Sequence, residues 1–283
     1  MSIVKIKAYA KINLSLNITG ILNGYHTLDS LVTSIDIFDV IVLHSRKDKL
    51  VNVYMKGMNL ENLPMDKNNA FKAANLFIET FNTKGVDITI YKNIPIGAGL
   101  GGSSADAAGT LNGLMKLYCI NDKDKVKELA DMCGSDTGYM LEGGFARITG
   151  RGEIIEKIDT DIKLNLLMLI PNEGVSTFEC FNMYDNNPQI DRKDSELCYN
   201  AILQNNTVQL AKNMYNSLTE SAINLNSDIY TAIKQMEEFS PLGIVMSGSG
   251  SAVFGIFENN QFVKWAKSRY IGKFKCLEAK TIN

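Results

Sequence analysis

The alternation of apolar and polar residues predicts that the chain begins with β structure. Residues 10–19 alternate strictly, which predicts a half-buried strand. Its apolar face carries Ile12, Leu14, Leu16 and Ile18, and its polar face carries Lys11, Asn13, Ser15, Asn17 and Thr19. Residues 3–9 and 35–43 are also strand-like, so the chain is expected to open with several β-strands.

In the middle of the chain, the spacing of apolar residues predicts helices and a strand. A helix is predicted over residues 70–82 and a strand over 87–91, and this strand leads into a glycine-rich segment. Two amphipathic helices follow, with apolar residues Leu111, Leu114, Met115 and Tyr118 in the first and Val126, Leu129, Ala130 and Cys133 in the second. Gly134 is expected to end the second helix.

The remaining pattern predicts a second lobe. Residues 143–154 have strand and turn character, and the polar bridge 157–163 suggests a junction between domains 1–158 and 159–283. A buried strand is predicted over 164–170, and a mobile polar loop over 182–195. Helices are expected near 194–204, 207–221 and 227–239, and two strands, GIVMS and AVFGIF, flank the turn SGSG. The whole pattern predicts an α+β protein with two lobes.

Composition and charge narrow the function classes. The formal net charge of −2 argues against a nucleic-acid binder, and the longest apolar run, residues 164–170, is too short to span a bilayer. The five cysteines are scattered without a C-x-x-C pair and there are two histidines, so neither a disulfide framework nor a zinc or histidine-based metal site is expected. No signal peptide is visible at the N-terminus, so a cytoplasmic protein is expected.

The segment GAGLGG, residues 97–102, matches the dinucleotide-binding pattern G-x-G-x-x-G. That fold also needs a second parallel strand after the helix, and the sequence runs from one predicted helix directly into another. The βαβ unit is therefore missing, which disfavours an oxidoreductase. A Walker A loop is excluded because no G-K-[ST] closes the glycine run.

A phosphate site is nevertheless favoured at this glycine segment. Ser103 and Asp106 have the spacing of a capping box, which predicts that a helix begins here. The free N–H groups and positive dipole end of such a helix attract anions. The hydroxyls of Ser103 and Ser104 could bind phosphate or a magnesium ion. The alternative is a tight turn that only joins strand to helix.

Three segments resemble the GHMP kinases, the family of galactokinase, homoserine kinase and mevalonate kinase. They are AKINLSLNI, PIGAGLGGSSADAAG and MSGSGSAVFG, at residues 10–18, 95–109 and 246–255. The resemblance implies an α+β, two-lobed fold, with a ribosomal-protein-S5-domain-2-like β/α arrangement in the N-terminal lobe and an antiparallel sheet with helices in the C-terminal lobe. It implies ATP with Mg²⁺, the metal held through Ser104 if by any side chain. The implied ATP-binding residues are Asn69, Lys92, Pro95, Gly97, Ala98, Gly99, Leu100, Gly101, Gly102, Ser103 and Ser104.

Residues 10–36, with G-Y-H-T-L at 24–28, resemble one branch of this family. That branch phosphorylates the 2-hydroxyl of a cytidine diphosphate-linked methylerythritol in non-mevalonate isoprenoid synthesis. The resemblance implies that Asp136 is the catalytic base and Lys11 its partner. The implied substrate-binding residues are Asn13, Tyr25, His26, Thr177 and Phe181. The partners are thus two small molecules, with no nucleic acid and no membrane.

Departures from the family pattern leave alternatives open. The family follows its catalytic aspartate with Val-Pro and an aromatic residue, whereas this chain has Thr137, Gly138 and Tyr139. Ser103 stands where the family has a third consecutive glycine. The alternatives are a kinase of the same fold for another alcohol and a non-catalytic nucleotide-binding paralogue. Without the resemblance, Lys11 would be a solvated strand lysine and Asp136 a helix N-cap.

Overall fold

The structure, a computed structural model, describes residues 2–57, 68–186 and 195–282. The first part of the chain forms β1 Ile3–Leu22, β2 Tyr25–Ser45, β3 Val51–Lys56, α1 Asn69–Phe81, β4 Val86–Tyr91, α2 Gly102–Tyr118, α3 Lys123–Cys133 and α4 Thr137–Met140. The second part forms β5 Phe145–Gly150, β6 Ile154–Ile158, β7 Asn165–Ile170, α5 Thr177–Asn186, α6 Ser195–Leu203, α7 Thr207–Asn213, β8 Tyr215–Asn216, α8 Thr219–Leu225, α9 Asp228–Glu237, β9 Gly243–Met246, β10 Val253–Phe257, α10 Asn260–Arg269 and β11 Lys275–Ile282.

The chain divides into two compact units whose segments interleave. Unit 1 comprises Met1–Ala10, Ile37–Ile94 and Gly101–Gly143, and unit 2 comprises Lys11–Asp36, Pro95–Leu100 and Gly144–Asn283. The strands β1 and β2 therefore each begin in one unit and end in the other. A domain boundary at residue 158 stays a prediction.

Unit 1 is a sheet covered by helices. In it β4 pairs with β2 in antiparallel register, Val40 opposite Tyr91, and with β3 in parallel register. Helix α2 packs very closely on this sheet: a Cβ on Gly109 would lie 2.6 Å from Ile41 Cδ1, and one on Gly113 would lie 2.4 Å from Leu43 Cδ1. The two helical glycines thus allow the helix to approach the sheet, which offsets their unfavourable helix propensity.

Unit 2 is built on an antiparallel sheet in which β7 lies between β10 and β11, and β9 pairs with the other side of β10. Strand β5 pairs with β2 and with β6. Helices α5, α8, α9 and α10 contribute buried residues to its core, among them Cys180, Ala222, Ile229 and Val263. No helix in the described part of the chain has the length and apolarity to cross a membrane.

The polar face of β1 is buried, and the expectation of a half-buried strand is wrong. Lys11, Asn13, Ser15 and Asn17 are between 1% and 6% exposed, although their neighbours on the apolar face are buried as well. The polar side chains are tolerated there because they find partners: Ser15 Oγ accepts from Leu31 N, and Asn17 Nδ2 donates to Ser195 Oγ. Thr19 alone of the predicted polar face is exposed.

The single helix expected over 207–221 is also wrong, because two helices and a short strand occupy this segment. Helix α7 ends at Asn213, β8 pairs in parallel with β1, Ser15 opposite Tyr215, and α8 begins at Thr219. Asn216 explains the break. It is 3% exposed, its Nδ2 donates to Met246 O and Gly248 O, and its Oδ1 accepts from Leu218 N. These bonds compensate for the interrupted helix.

The expected loop 182–195 needs a similar correction. Residues 182–186 complete helix α5, and Ser195 begins α6, while 187–194 lie outside the described residues. Helix α10 and strand β11 were not predicted at all. The strands predicted at 87–91 and 164–170 are confirmed as β4 and β7, and GIVMS and AVFGIF as β9 and β10.

Candidate active site

The glycine loop, residues 95–101, has a conformation that requires its glycines. Gly97, Gly99 and Gly101 have φ values of 67°, 72° and 69°, in the left-handed region. Gly99 is further constrained by the turn after β9, since a Cβ on it would lie 2.1 Å from Ser247 O. The loop is therefore fitted against other backbone.

In this loop, the backbone carbonyl groups are the ones that form hydrogen bonds with the rest of the protein. Three successive carbonyls are taken up by unit 2: Ala98 O accepts from Ala252 N at 3.1 Å, and Leu100 O accepts from Lys11 N at 3.1 Å. Between them, Gly99 O accepts from Ser247 Oγ at 3.0 Å. By contrast, the backbone N–H groups of residues 97–104 donate no hydrogen bond to any described residue. Such a run of free N–H groups is suited to an anion.

The capping box expected at the start of α2 does not form. Gly101 occupies the N-cap position with φ 69°, and Ser103 lies inside the first turn. Asp106 does not reach back to the helix terminus, because its carboxylate is buried and accepts from Lys92 Nζ at 2.6 Å. The helix nevertheless begins where the sequence predicted, at the end of the glycine loop.

Lys92 lies in a buried cluster with two carboxylates. Its ammonium also donates to Asp39 Oδ2, and the three side chains are 3%, 0% and 6% exposed for Lys92, Asp39 and Asp106. Burial lowers the pKa of Lys92, but Asp106 and Asp39 more than offset it, and the net direction is upward. Burial, together with Asp39, raises the pKa of Asp106 to about 7 against the opposing effect of Lys92.

Two predicted ATP-binding residues of unit 1 converge on Gly134. A Cβ on this glycine would lie 3.3 Å from Ser104 Oγ, 3.7 Å from Asn69 Nδ2 and 3.2 Å from Thr137 Oγ1. Because the φ of Gly134 is 170°, its backbone is extended and the need for glycine is spatial. The glycine therefore leaves room for three polar side chains beside the turn that carries Asp136.

Asp136 precedes α4 in the N-cap position, but it does not act as a cap. Its carboxylate accepts no hydrogen bond from the backbone N–H groups of this described helix. Backbone bonds hold the turn instead: Thr137 N donates to Gly134 O at 3.0 Å, and Met140 N donates to Asp136 O at 3.1 Å. The simple capping alternative for Asp136 is therefore wrong.

In unit 2, Lys11 belongs to a network centred on Asn13. Asn13 Oδ1 accepts from Lys11 Nζ at 2.6 Å and from Gly248 N at 3.1 Å, while Asn13 Nδ2 donates to Ser30 Oγ at 2.9 Å. Ser247 Oγ accepts from Asn13 N at 3.3 Å and donates to Gly99 O. Lys11 is thus a buried, oriented cation and no solvated strand lysine. The amide of Asn13 positions Lys11, and its reach to a substrate hydroxyl stays a prediction.

The predicted substrate-binding residues Tyr25, His26, Thr177 and Phe181 of unit 2 each contact a neighbouring side chain. His26 and Phe181 stack with ring centroids 4.6 Å apart and an interplanar angle of 35°. His26 Nε2 lies 2.7 Å from Asp185 Oδ1, which requires the proton on Nε2. Thr177 Oγ1 and Ser249 Oγ are 3.0 Å apart. Tyr25 is 62% exposed, and its ring centroid lies 5.4 Å from the guanidinium of Arg151.

The residues that hold these groups escaped the sequence analysis. Ser30 holds the amide of Asn13, Asn216 holds the turn after β9, and Ser247 bonds the glycine loop. Asp39 holds Lys92, and Asp185 orients His26. Only Ser247 carried a signal, since it lies in the quoted turn MSGSGS. The others are single polar residues in otherwise apolar or turn-rich segments.

Two family models match the chain: the GHMP kinases N terminal domain over residues 68–146 and the GHMP kinases C terminal domain over residues 199–264. The 4-diphosphocytidyl-2-C-methyl-D-erythritol kinase of Clostridium tetani (strain Massachusetts / E88) is 40% identical over 259 residues, which cover 90% of this chain and 91% of that protein.

Solved structures are similar over the whole chain. A crystal structure of 4-(cytidine 5'-diphospho)-2C-methyl-D-erythritol kinase matches with a TM-score of 0.82 and 26% identity, covering 99% of this chain and 100% of that one. A homoserine kinase from Cytophaga hutchinsonii ATCC 33406 matches with a TM-score of 0.75 at 18% identity, covering 100% of this chain and 95% of that one. The second likeness shows a shared fold alone.

Proposed function

The chain belongs to the GHMP kinase family, and on that premise we propose that it transfers the γ-phosphoryl group of ATP to the 2-hydroxyl of 4-diphosphocytidyl-2-C-methyl-D-erythritol. The relative that is 40% identical carries the name of that kinase. The product would serve isoprenoid precursor synthesis by the non-mevalonate route. The cytoplasmic location expected from the sequence belongs to the same proposal, as does the absence of nucleic-acid and membrane partners.

The observation that carries this proposal is that the carbonyl groups of the glycine loop are hydrogen-bonded, whereas its N–H groups are not bonded within the described part of the chain. The carbonyls of residues 98–100 are held by other protein groups, while the N–H groups of 97–104 have no acceptor among the described residues. Phosphate oxygens are acceptors only, so they complement this run. Of the residues expected from the family, those at positions 69, 95 and 97–104 are proposed to contact ATP, whereas Lys92 is 3% exposed and paired with two carboxylates.

The described residues offer one side-chain oxygen, Ser104 Oγ, as a ligand for a magnesium ion. Mg²⁺ in kinases is held mainly by substrate phosphates and by one or two protein oxygens. Ser104 Oγ, one of three polar groups that converge on Gly134, would supply one such oxygen. The ion would neutralise charge on the β- and γ-phosphates.

Phosphoryl transfer needs positioning, charge stabilisation and a base. We assign the base to Asp136: its carboxylate accepts the proton of the 2-hydroxyl as that oxygen bonds to the γ-phosphorus and the bond to ADP breaks. Lys11 stabilises the negative charge that develops on the acceptor oxygen. Asn13 supports that role because its Oδ1 holds the Lys11 ammonium at 2.6 Å.

The cytidine part of the substrate is assigned to His26, Phe181 and Tyr25. Aromatic faces stack on a base, and the Phe181 ring already contacts His26. When the His26 ring is neutral and donates from Nε2 to Asp185, its Nδ1 is an acceptor, which fits the amino group of cytosine. Thr177 is assigned to the substrate by its place in the family pattern, four residues before Phe181.

The test is ADP release measured with four acceptors: the cytidyl substrate, mevalonate, homoserine and galactose. We expect turnover with the cytidyl substrate alone. A different preferred alcohol would favour another kinase of this fold, and no turnover with any acceptor would favour the non-catalytic paralogue.

An Asp136→Asn variant serves as the control for the assay. It should lower turnover on the order of 10²–10⁴-fold, the range for loss of a general base, while ATP still binds in calorimetry. Turnover close to that of the wild type would remove Asp136 from the base role.

A further inference from the structure

The buried Lys92 cluster lies at the two ends of the glycine loop. Asp39 Oδ1 accepts from Ile94 N at 2.8 Å and from Asn93 N at 2.5 Å, so it holds the backbone that enters the loop. Lys92 Nζ binds Asp106 Oδ2 at 2.6 Å, in the second turn of the helix that leaves the loop. The cluster therefore joins the chain before the loop to the chain after it.

The packing around the cluster is tight. A Cβ on Gly102 would lie 3.1 Å from Ile94 Cγ2 and 3.5 Å from Lys92 Nζ. The first residue of α2 thus lies against the lysine and the strand exit, and a side chain at this position would require Ile94 to shift by a few tenths of an ångström. The position of the helix N-terminus depends on this contact.

The geometry also limits what Lys92 can reach. Its side chain is 3% exposed, and two of its three ammonium hydrogens have carboxylate acceptors. Moving the ammonium to a nucleotide would leave two buried carboxylates without a counter-charge. A buried charge without a partner is strongly unfavourable, so the lysine is held where it is.

We propose that Lys92, Asp39 and Asp106 form a loop clamp that fixes both ends of the glycine loop, so that Lys92 acts on ATP by positioning the loop and not by touching the nucleotide. Asp39 and Asp106 are accordingly positioning residues for ATP. The inference rests on the proposed function, because ATP is taken as the ligand of the loop. It replaces direct contact as the role of Lys92.

The test is a double-mutant cycle on ATP affinity, measured by calorimetry with Lys92→Met, Asp106→Asn and the double variant. A clamp predicts that each single variant weakens ATP binding on the order of tenfold, and that the double variant is no weaker than Lys92→Met alone. The KM for the acceptor should change much less than the KM for ATP. Lys84→Met and Asp124→Asn, both at exposed positions of unit 1, are matched controls that should bind ATP normally.

Direct contact of Lys92 with ATP predicts a different pattern. Lys92→Met would then weaken ATP binding while Asp106→Asn binds like the wild type, and this result would overturn the clamp. If Lys92→Met does not fold, Asp39→Asn takes its place in the cycle, since Asp39 holds the loop entry directly. Wild-type affinity in both aspartate variants would equally overturn the proposal.

Hydrogen exchange of the loop separates this proposal from the kinase assignment. In the protein without nucleotide, the hydrogen-bonded amides at the two ends of the loop, those of Asn93, Ile94 and Ala105, should exchange on the order of tenfold faster in Asp106→Asn than in the wild type. Unchanged exchange contradicts the clamp whatever the enzyme phosphorylates. Faster exchange in a protein that is inactive on the cytidyl substrate would sustain the clamp and refute the proposed function.

Discussion

Two buried lysines of this protein are held in different ways. In unit 1, Lys92 lies between the carboxyl groups of Asp39 and Asp106, both of which can carry charge. In unit 2, Lys11 donates to the amide oxygen of Asn13, and this amide continues through Ser30 Oγ and Gly248 N into a network of neutral groups. The first arrangement fixes backbone, and the second presents a cation in the network that also contacts the glycine loop.

The difference shows that a buried lysine can either fix the backbone around it or present its ammonium group within a network. Charges that neutralise each other form a strong but all-or-none contact, because removing one leaves the others uncompensated. Neutral hydrogen bonds are individually weaker and are lost one at a time.

Lys92→Met should have the largest effect on stability. It leaves Asp39 and Asp106 buried without a cation, and breaking a buried pair in this way costs about 3–5 kcal/mol. Urea denaturation would measure the loss. A change within the error of the Lys84→Met control would show that the charged cluster contributes no more than a surface pair.

Asn13→Ala should destabilise the protein by a smaller amount. It removes three side-chain hydrogen bonds and leaves Gly248 N and Ser30 Oγ short of a partner, for a cost of about 1–3 kcal/mol. Because the side chain of Asn13, Gly248 N and Ser30 Oγ do not titrate, the loss should be equal at about pH 6 and about pH 8, one unit on either side of the pKa of about 7 of Asp106. A loss of stability that depends on pH would contradict the distinction between the neutral network around Asn13 and the titrating cluster around Lys92.

Asp106 should make the charged cluster sensitive to pH. Its pKa in the folded protein is raised to about 7, above its value in the unfolded chain, so the folded state binds the proton more tightly. Stability from this group is therefore fully present below about pH 4 and is lost as pH rises through about 7, with a slope of at most about 1.4 kcal/mol per pH unit. Asp106→Asn, followed by urea denaturation across this range, should lack that slope; an identical pH profile in both proteins would contradict it.

Ser30→Ala should have the smallest effect. The hydroxyl accepts from Asn13 Nδ2 and donates to Ser15 O at 2.6 Å, so its loss should cost about 1 kcal/mol. Turnover should fall less than in Asn13→Ala, because Lys11 keeps its contact with Asn13 Oδ1. A larger fall in turnover than in Asn13→Ala would place Ser30 closer to the reacting groups than this network allows.

Local pattern predicted much of the fold. The strict alternation of residues 10–19 identified β1, and helix spacing identified α2 and α3, because these periods reflect which residues share a face. The α+β GHMP kinase fold expected from the three motifs is confirmed by the family models and by the solved structures. Period alone does not reveal what covers a face, so the burial of Lys11 and Asn13 could not be predicted.

The errors share one cause, contacts between residues distant in sequence. Ser103 and Asp106 have capping-box spacing, but Asp106 pairs with Lys92, fourteen residues earlier, which in turn pairs with Asp39 in another strand. Asn216 interrupts a helical pattern because its acceptors lie in the turn after β9. Neither pairing leaves a mark within the local window that a sequence pattern can use.

The most direct test of the central claim is phosphorus NMR of a mixture of the protein, ATP, Mg²⁺ and the cytidyl substrate. We predict that ADP resonances grow together with one new phosphomonoester resonance, and that this phosphorus couples to the methyl-bearing carbon that carries the 2-hydroxyl. ADP that accumulates with inorganic phosphate alone, or a phosphomonoester on another hydroxyl, would contradict the account.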